Sequence, residues 1–381
     1  MQGHSSWALI AVLIYWPSQF AIQFIRATGE LRQLNDVMAH TGRCERQASE
    51  HHGFEDFAAF EDGALVAIAS DHSHFAFKFG VSMRDALSRH NGTRIVHARV
   101  LRKGKWRPLK LQGAPSDFAP HGLAGTGKIG ANGMLLIVNH RTTHDTIEMF
   151  TMRSASVAEH AGTWSHPLLF NVNDCAFTST ASFICTNWRQ YETGTLADAV
   201  ELYAQRPWSY VVECTKTNQG LDCVVMARGL PMANGIAVRG ELVFVVASLE
   251  PSVRVYKRSP RGGLELQYSM ATRAACDNLM WHGESLLTAC HPRALTFVKY
   301  SKRPREELVS PCEVLRFDDV MNASRSQHGS TAVYPYSIAT QVYVDSVGDE
   351  FSACAVAALD PKGTLWLGSV HDWGMLRCKN R

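Results

Sequence analysis

Short runs of aliphatic and β-branched residues recur along the chain, and turn-forming residues bound each of them. The first run, for example, follows the turn Glu61-Asp62-Gly63. Runs of this length with glycine, asparagine, aspartate or proline at their ends are typical of β-strands. The six clearest runs cover residues 65–68, 134–138, 182–185, 242–246, 287–289 and 364–367.

The spacing of these runs indicates the architecture. Their starts lie 69, 48, 60, 45 and 77 residues apart, which is too irregular for a tight solenoid but fits propeller blades that carry insertions. We therefore predict an all-β fold, a six-bladed β-propeller with a few short helices, as one domain over residues 31–381. The helical candidates are residues 83–89 and 196–204.

A short polar cluster precedes five of the six runs by about ten residues. If each run is a middle strand of its blade, the cluster before it lies on the inner strand, which lines the central channel. Side chains alternate along a strand, so neighbours within a cluster need not face the same way. The clusters are Glu55-Asp56, His121-Gly122, Asn173-Asp174, Asn234-Gly235 and Asp277-Asn278.

These clusters offer the oxygen ligands that a hard cation prefers. Calcium takes about six to eight oxygens from carboxylates, amides, backbone carbonyls and water. One such dipeptide alone is more often an ordinary turn than a ligand pair. Five at matching offsets favour a shared calcium site, with the candidate ligands Glu55, Asn173, Asn234, Asp277 and Asn278.

Composition narrows the functional classes. The chain has 381 residues, of which 46% are hydrophobic, enough for a sizeable core. A net charge of +3 without a basic face gives no reason to expect nucleic acid as a partner. The two basic stretches, 102–110 and 299–305, are interpreted as solvated loops.

The N-terminal segment, residues 1–30, is predicted to be a hydrophobic signal or anchor. It is apolar from Trp7 to Ile25 and is also the candidate for membrane or lipid association. Arg26 and Arg32 follow the apolar stretch, which alone would keep the downstream side in the cytosol. Other features favour secretion, so cleavage and retention both stay open.

Ten cysteines and two sequons favour the secretory pathway, with an extracellular or membrane-anchored protein. The sequons predict glycosylation at Asn91 and Asn322. A bond between Cys44 and Cys378 would tie the ends of a closed ring, and one between Cys214 and Cys223 could staple a hairpin. We expect one or two bridges, the alternative being that most cysteines are buried free thiols.

Several motifs together resemble the serum paraoxonase/arylesterase family, which consists of six-bladed β-propeller lactonases with two calcium ions. The resemblance runs from Cys44 to Cys378, and the motifs match in order and spacing. They include Gly-Phe-Glu-Asp at 53–56, Phe-Ala-Pro-His-Gly-Leu at 118–123, Leu-Leu-Ile-Val-Asn-His at 135–140, Asn-Val-Asn-Asp at 171–174, Trp-Ser-Tyr-Val-Val at 208–212, Ala-Asn-Gly-Ile at 233–236, Asp-Asn at 277–278 and Cys-His-Pro at 290–292.

The resemblance implies one catalytic and one structural calcium ion. It places the catalytic ion on the five candidate ligands named above. The structural ion would be held by Asp56, Asp174 and the backbone carbonyl of Leu123. Cys44 and Cys378 match the ring-closing disulfide of the family.

The implied activity is hydrolysis of a small-molecule lactone or aryl ester. Calcium would polarise the carbonyl, while His121 and His140 match the histidine pair proposed to activate water. One alternative is a single-metal hydrolase of the gluconolactonase type, against which Asp56 and Asp174 argue. The other is a non-catalytic propeller that serves as a binding module.

Two departures from the family put the substrate in doubt. Residues 186–190 read Thr-Asn-Trp-Arg-Gln where the family usually has an Asp-His pair, and Asp71-His72-Ser73 begins an atypical active-site loop. The Gly-x-Gly-x-x-Gly match at 125–130 precedes a strand rather than a helix, so nucleotide binding is not expected. No Gly-x-Ser-x-Gly elbow occurs, which excludes the usual serine esterase site.

Overall fold

A computed structural model describes residues 25, 28–38, 44–70, 96–141, 143–192, 195–302, 308–318, 320–321 and 339–379. In this part of the chain, twenty-five β-strands and two short α-helices are present. Both sequons, the predicted helix at 83–89, the Asp71-His72-Ser73 sequence and most of the N-terminal segment lie outside the described residues. Within them, neither helix has the length and apolar character needed to span a bilayer.

The first three blades follow one another along the chain, each with four strands. Blade 1 consists of β3 (Phe54–Ala59), β4 (Leu65–Ser70), β5 (Val96–Arg102) and β6 (Lys105–Gln112). Blade 2 consists of β7 (Pro120–Thr126), β8 (Met134–His140), β9 (Asp145–Met152) and β10 (Val157–Trp164). Blade 3 consists of β11 (Val172–Phe177), β12 (Ser182–Asn187), β13 (Ser209–Thr217) and β14 (Gly220–Leu230).

The last three blades complete the ring. Blade 4 consists of β15 (Ala233–Arg239), β16 (Leu242–Ala247), β17 (Ser252–Arg258) and β18 (Leu264–Ala271). Blade 5 consists of β19 (Ala275–His282), β20 (Ser285–His291), β21 (Cys312–Phe317), β22 (Thr340–Asp345) and the short β1 (Val37–Met38). Blade 6 consists of β23 (Cys354–Leu359), β24 (Leu365–Ser369), β25 (Trp373–Cys378) and β2 (Cys44–His52).

The blades are arranged as a closed ring. The first strand of each blade contacts the first strand of the next, and β23 of blade 6 contacts β3 of blade 1. The outermost strands of blades 1 and 2, β6 and β10, also pair in parallel over three residues. The six-bladed propeller predicted from the sequence is therefore confirmed, and the six apolar runs lie on the second strands β4, β8, β12, β16, β20 and β24.

The hydrophobic core is divided into six clusters, one between each pair of neighbouring blades. Strand β8 explains why the second strands are apolar without interruption. Leu135 and Ile137 pack towards blade 1, whereas Leu136 and Val138 pack towards blade 3. Because successive side chains point to opposite faces, a strand buried on both faces must be apolar at every position.

The predicted helix at 196–204 is observed as α1 (Leu196–Tyr203), whereas α2 (Ala294–Lys302) was not predicted. The Thr195 side chain caps α1 locally by accepting a hydrogen bond from the Asp198 N–H. The cap of α2 is remote, since Glu30 Oε1 accepts from the Leu295 N–H at 2.7 Å. Because this cap comes from a residue far away in the sequence, the residues next to α2 do not reveal where the helix begins.

The interpretation of the basic stretch 102–110 as a loop is wrong. Lys103 and Gly104, both with positive φ, form a two-residue turn between β5 and β6. Lys105, Arg107 and Lys110 are exposed on β6, so the stretch is a solvated hairpin. The described part of 299–305 belongs to α2.

All ten cysteines form disulfides, so the expectation of one or two bridges was too low. Cys44 and Cys378 are bonded and join β2 to β25 within blade 6. Cys214–Cys223 staples the β13–β14 hairpin. The remaining bonds are Cys175–Cys185, Cys276–Cys290 and Cys312–Cys354.

Replacing both Cys44 and Cys378 by serine should lower the free energy of unfolding by about 2–5 kcal/mol, because the bond closes a loop with a sequence separation of 334 residues. The matched control is the double serine variant of Cys214 and Cys223, whose separation is 9 residues. Its loss should be roughly half as large by the loop-length relation. Denaturant unfolding under oxidising conditions measures both losses, and equal losses would contradict a ring-closing role.

Candidate functional site

Each of the five polar clusters lies at a β-bulge in the first strand of its blade. In β3, Phe54 pairs with Ala69 and Phe57 with Ala67, so the two residues between them bulge out of the ladder. The first strands β7, β11, β15 and β19 have the same register shift at their own clusters. Bulges re-aim side chains and recur beside active sites. Here the bulges of five blades each carry at least one polar side chain at the centre of the ring.

The sixth blade also has a bulge, but it contributes no polar pair. The register of β23 shifts between Cys354 and Val356, and the residue between them is Ala355. Polar side chains at the bulges therefore come from blades 1 to 5, as the spacing of the clusters in the sequence predicts.

Two of the clusters contain glycine because the neighbouring bulge takes the space of a side chain. A Cβ on Gly122 would lie 2.4 Å from the Asn173 carbonyl oxygen. A Cβ on Gly235 would lie 2.6 Å from the Asn278 Cα. The bulges of blades 2 and 3, and those of blades 4 and 5, are thus in direct backbone contact.

Two buried aspartates join other pairs of bulges. Asp56 Oδ2 accepts the Leu123 N–H at 2.7 Å, which links blade 1 to blade 2. Asp174 Oδ2 accepts the Ile236 N–H at 2.9 Å, which links blade 3 to blade 4. The other oxygen of each aspartate accepts the N–H of the following residue. The two carboxylates therefore have equivalent positions, two blades apart.

The burial of these two carboxylates has an electrostatic cost. Burial raises the pKa of Asp56 to about 8. Burial and then the charge of Asp56 raise the pKa of Asp174 well above its ordinary range. Because the charge of Asp56 acts on Asp174, a cation beside the two carboxylates would stabilise their ionised forms.

Glu55 and His121 form an ion pair at the axis. Glu55 Oε2 lies 2.6 Å from His121 Nε2, and both side chains are almost fully buried. Burial by itself would lower the pKa of His121, but the charges of Glu55, Asp277 and Asp56 outweigh it and raise the pKa to about 9. With no cation beside these carboxylates, His121 keeps its proton at neutral pH.

His140 lies beside His121 and is oriented by an aspartate that the sequence analysis missed. The ring centroids of the two histidines are 4.9 Å apart, with the planes tilted by 50°. His140 Nδ1 lies 3.0 Å from Asp145 Oδ1. His140 and Asp145 face each other directly across the β8–β9 hairpin. Recognition of that hairpin would have placed Asp145 at the site.

A second histidine–aspartate pair, also missed, joins blade 5 to α2. His291 Nε2 lies 3.1 Å from Asp277 Oδ2, and the His291 ring stacks on Phe297 of α2 at 3.7 Å. Burial raises the pKa of Asp277, and the hydrogen bond with His291 opposes that rise. Asp277 is thereby held by a histidine of its own blade, and α2 in turn packs against that histidine.

The donor set fits a hard cation. Asn234 Oδ1 and Asp277 Oδ1 are buried, and neither has a hydrogen-bond partner among the described residues. Buried acceptors are normally satisfied, so such oxygens indicate a missing positive partner. Asn278 Nδ2 donates to the Glu55 carbonyl at 3.2 Å, and Asn173 is buried on the bulge next to Gly122.

The candidate calcium ligands include few carboxylates. Within the described ranges, no group of three or more His, Cys, Asp or Glu side chains is arranged to hold a metal ion. The candidate set has only the carboxylates Glu55 and Asp277, and its other three members are amides. Leu123 is buried next to the β7 bulge and donates its N–H to Asp56, while the role of its carbonyl as a ligand stays a prediction.

The residues that depart from the family motif have structural contacts of their own. The Thr186 hydroxyl donates to the Asn234 carbonyl at 2.6 Å and so ties blade 3 to the bulge of blade 4. Arg189 is buried, pairs with Asp198 of α1 and lies over the Trp188 ring at 4.0 Å. Residues 186–190 are therefore tied to blade 4 through Thr186 and to α1 through Arg189.

The chain is similar in sequence to known arylesterases. The family model for arylesterases matches residues 101–346. Human serum paraoxonase/arylesterase 1 is 28% identical over 261 residues, which cover 67% of this chain and 67% of the human protein. Human serum paraoxonase/arylesterase 2 is 26% identical over 212 residues, which cover 54% of this chain and 57% of that protein.

The fold has a counterpart among solved structures. An X-ray structure of a candidate gluconolactonase superposes with a TM-score of 0.50. The superposition covers 90% of this chain and 93% of that protein, with 11% sequence identity. At this identity the likeness concerns the propeller fold alone.

Replacing Glu55 by glutamine should lower the pKa of His121 from about 9 towards its ordinary value, because the nearest negative charge is removed. In the cation-free protein, the Glu55–His121 pair stabilises the fold fully below the unfolded pKa of about 6.5 and loses this effect as the pH rises through about 9. NMR titration of the histidine ring in a chelator measures the shift. Glu159→Gln, at an exposed ion pair with Arg153, is the control. A His121 pKa that does not change in the Glu55 variant would contradict the pair.

Proposed function

The chain belongs to the arylesterase family, as its motifs indicated, and from this premise we propose that it hydrolyses lactones and aryl esters with the help of calcium. One observation carries the proposal. Five bulges direct hard oxygen ligands and a histidine to the axis of one ring, and two buried oxygens of this set lack hydrogen-bond partners among the described residues. Buried acceptors without partners destabilise a fold, so a purely structural role does not account for these two oxygens.

The proposed catalytic ion would be held by Glu55, Asn173, Asn234, Asp277 and Asn278. Asp56, Asp174 and the Leu123 carbonyl would hold the structural ion. Bound at the first site, calcium supplies a Lewis acid that polarises the substrate carbonyl and stabilises negative charge on its oxygen.

The side chains of this chain supply the proton transfer. His121 can accept a proton from water only when its pKa falls below the raised value, and this requires compensation of the charges of Glu55 and Asp277. In the proposed enzyme, His121 is the base. His140, held by Asp145, lies next to it and can take the proton onward.

The number of ions distinguishes this proposal from a single-metal hydrolase of the gluconolactonase type. One observation favours the single-metal alternative: both oxygens of Asp56 and of Asp174 already accept backbone N–H groups. The two aspartates could therefore join the blades without an ion. Against this, their raised pKa values support a nearby positive charge.

The five disulfides indicate an oxidising compartment, which supports the secretory pathway. We further propose that the N-terminal hydrophobic segment directs the protein there and provides any membrane or lipid association. The substrate would be a small lactone or ester.

The activity is tested with a panel of lactones and aryl esters, assayed with calcium and again after chelation. Turnover should require calcium. His121→Gln should lower kcat by about 10²-fold or more, the usual contribution of a general base. Asp277→Ala should abolish turnover and weaken calcium binding, because it removes one of two carboxylates of the site.

Matched controls are His144→Gln, an exposed histidine on the β8–β9 turn, and Asp349→Ala, an exposed aspartate in the loop between β22 and β23. Both should retain wild-type turnover. Unchanged turnover in the His121 and Asp277 variants would refute the proposed chemistry. A protein that binds the panel compounds without hydrolysing any of them would be the non-catalytic binding module.

Metal analysis of the purified protein should find two calcium ions per chain. Replacing Asp56 and Asp174 together by asparagine should remove one of them, because the charges that need compensation disappear. One tightly held ion in the wild type, retained in this double variant, would favour the single-metal hydrolase instead.

A further inference from the structure

The buried aspartate Asp145 uses its two oxygens for two different parts of the candidate site. Its Oδ1 faces His140 Nδ1 at 3.0 Å. Its Oδ2 accepts the Val172 N–H at 2.9 Å. Val172 directly precedes the Asn173-Asp174 cluster on β11. The same carboxylate therefore contacts the histidine pair in blade 2 and the ligand strand of blade 3.

The first contact decides which nitrogen of His140 carries the proton. An ionised carboxylate only accepts hydrogen bonds, so the Nδ1 facing it must be the N–H. In the neutral ring, Nε2 then has a lone pair. His140 Nε2 is buried, and no hydrogen-bond partner for it occurs in the described part of the chain. The ring thus offers an acceptor inside the site, next to His121.

The second contact prevents Asp145 from rotating away from the histidine. The side chain lies on the first residue of β9, opposite His140, and is almost fully buried. A backbone N–H of blade 3 occupies its second oxygen. Rotation of the carboxylate would break both hydrogen bonds at once, and the buried Val172 N–H would be left unsatisfied.

We propose that Asp145 is a positioning residue that selects the Nδ1–H tautomer of His140 and locks that ring relative to the ligand strand of blade 3. The role in turnover rests on the proposed function, in which His140 takes a proton from His121. The orientation of His140 rests on the geometry alone.

The decisive variant is Asp145→Asn, since asparagine has nearly the same shape and its hydrogen bonds are determined by its surroundings. Val172 offers an N–H, so the amide oxygen must face Val172. The amide NH₂ then faces His140 Nδ1, which has to become an acceptor. The proton of His140 moves to Nε2, and the acceptor in the site is lost.

Two measurements follow from this exchange. The ¹⁵N chemical shifts of His140 should report Nδ1–H in the wild type and Nε2–H in Asp145→Asn. If the wild type hydrolyses lactones, kcat of the variant should fall by about 10²–10⁴-fold, the range for loss of a proton acceptor or of the correct tautomer. KM, calcium content and melting temperature should stay near the wild-type values, because both hydrogen bonds remain.

The matched control is Asp117→Asn, which removes the same charge close to His140. Asp117 Oδ2 accepts from Arg141 Nε at 2.5 Å in a partly exposed pair. This control should alter neither the tautomer nor kcat. Asp145→Glu keeps an acceptor towards His140 and should restore the Nδ1–H tautomer with part of the turnover, which also guards against a folding defect in Asp145→Asn.

The outcomes separate the two proposals. An unchanged His140 tautomer in Asp145→Asn, or a changed tautomer with unchanged kcat, would overturn the role of Asp145. A wild type that hydrolyses no lactone or ester would overturn the proposed function and the catalytic part of this inference with it. The ¹⁵N measurement would then decide alone whether Asp145 orients His140.

Discussion

The close approach of the first strands at the axis of the ring is the constraint on which the rest of the structure depends. At Gly122 and Gly235 even one additional carbon atom would collide with the backbone of the next blade. Backbones this close leave no room for an apolar core at the axis. The strands instead bulge, and their polar pairs fill the space with hydrogen bonds from blade to blade. Stability of the ring and assembly of the site therefore depend on the same few residues.

This crowding also explains the electrostatics. Asp56, Asp174 and Asp277 are buried near one another, and burial raises the pKa of each. The same excess of negative charge raises the pKa of His121. An axis of this kind favours a positive partner, whether a proton on a side chain or a cation. Because the chain belongs to the arylesterase family, we favour the cation as this partner.

The sequence predicts much of the fold because each second strand is buried on both faces. Runs such as 134–138 and 242–246 are therefore apolar throughout, and their number gives the number of blades. The polar clusters could be recognised in the same way, because each precedes its run by about ten residues. Contacts between remote segments could not be read: Glu30 caps α2, and Asp174 binds the N–H of Ile236. Asp145 could have been predicted as a site residue, because a short hairpin places it opposite His140. The full set of five disulfides could not be predicted, because the sequence does not show which cysteines face each other across strands.

The outermost strand of blade 6, β2, must remain unpaired during most of the synthesis of the chain. Strand β2 leaves the ribosome before all six first strands, yet its partner β25 follows after a separation of 334 residues between Cys44 and Cys378. At about 5–20 residues per second, β2 waits roughly 20–70 s for that partner. An unpaired apolar strand would be an aggregation hazard for that time. The sequence of β2, Cys-Glu-Arg-Gln-Ala-Ser-Glu-His-His, is instead polar and charged, as a strand that must remain soluble requires. Its cysteine meanwhile has to avoid eight others that emerge before Cys378.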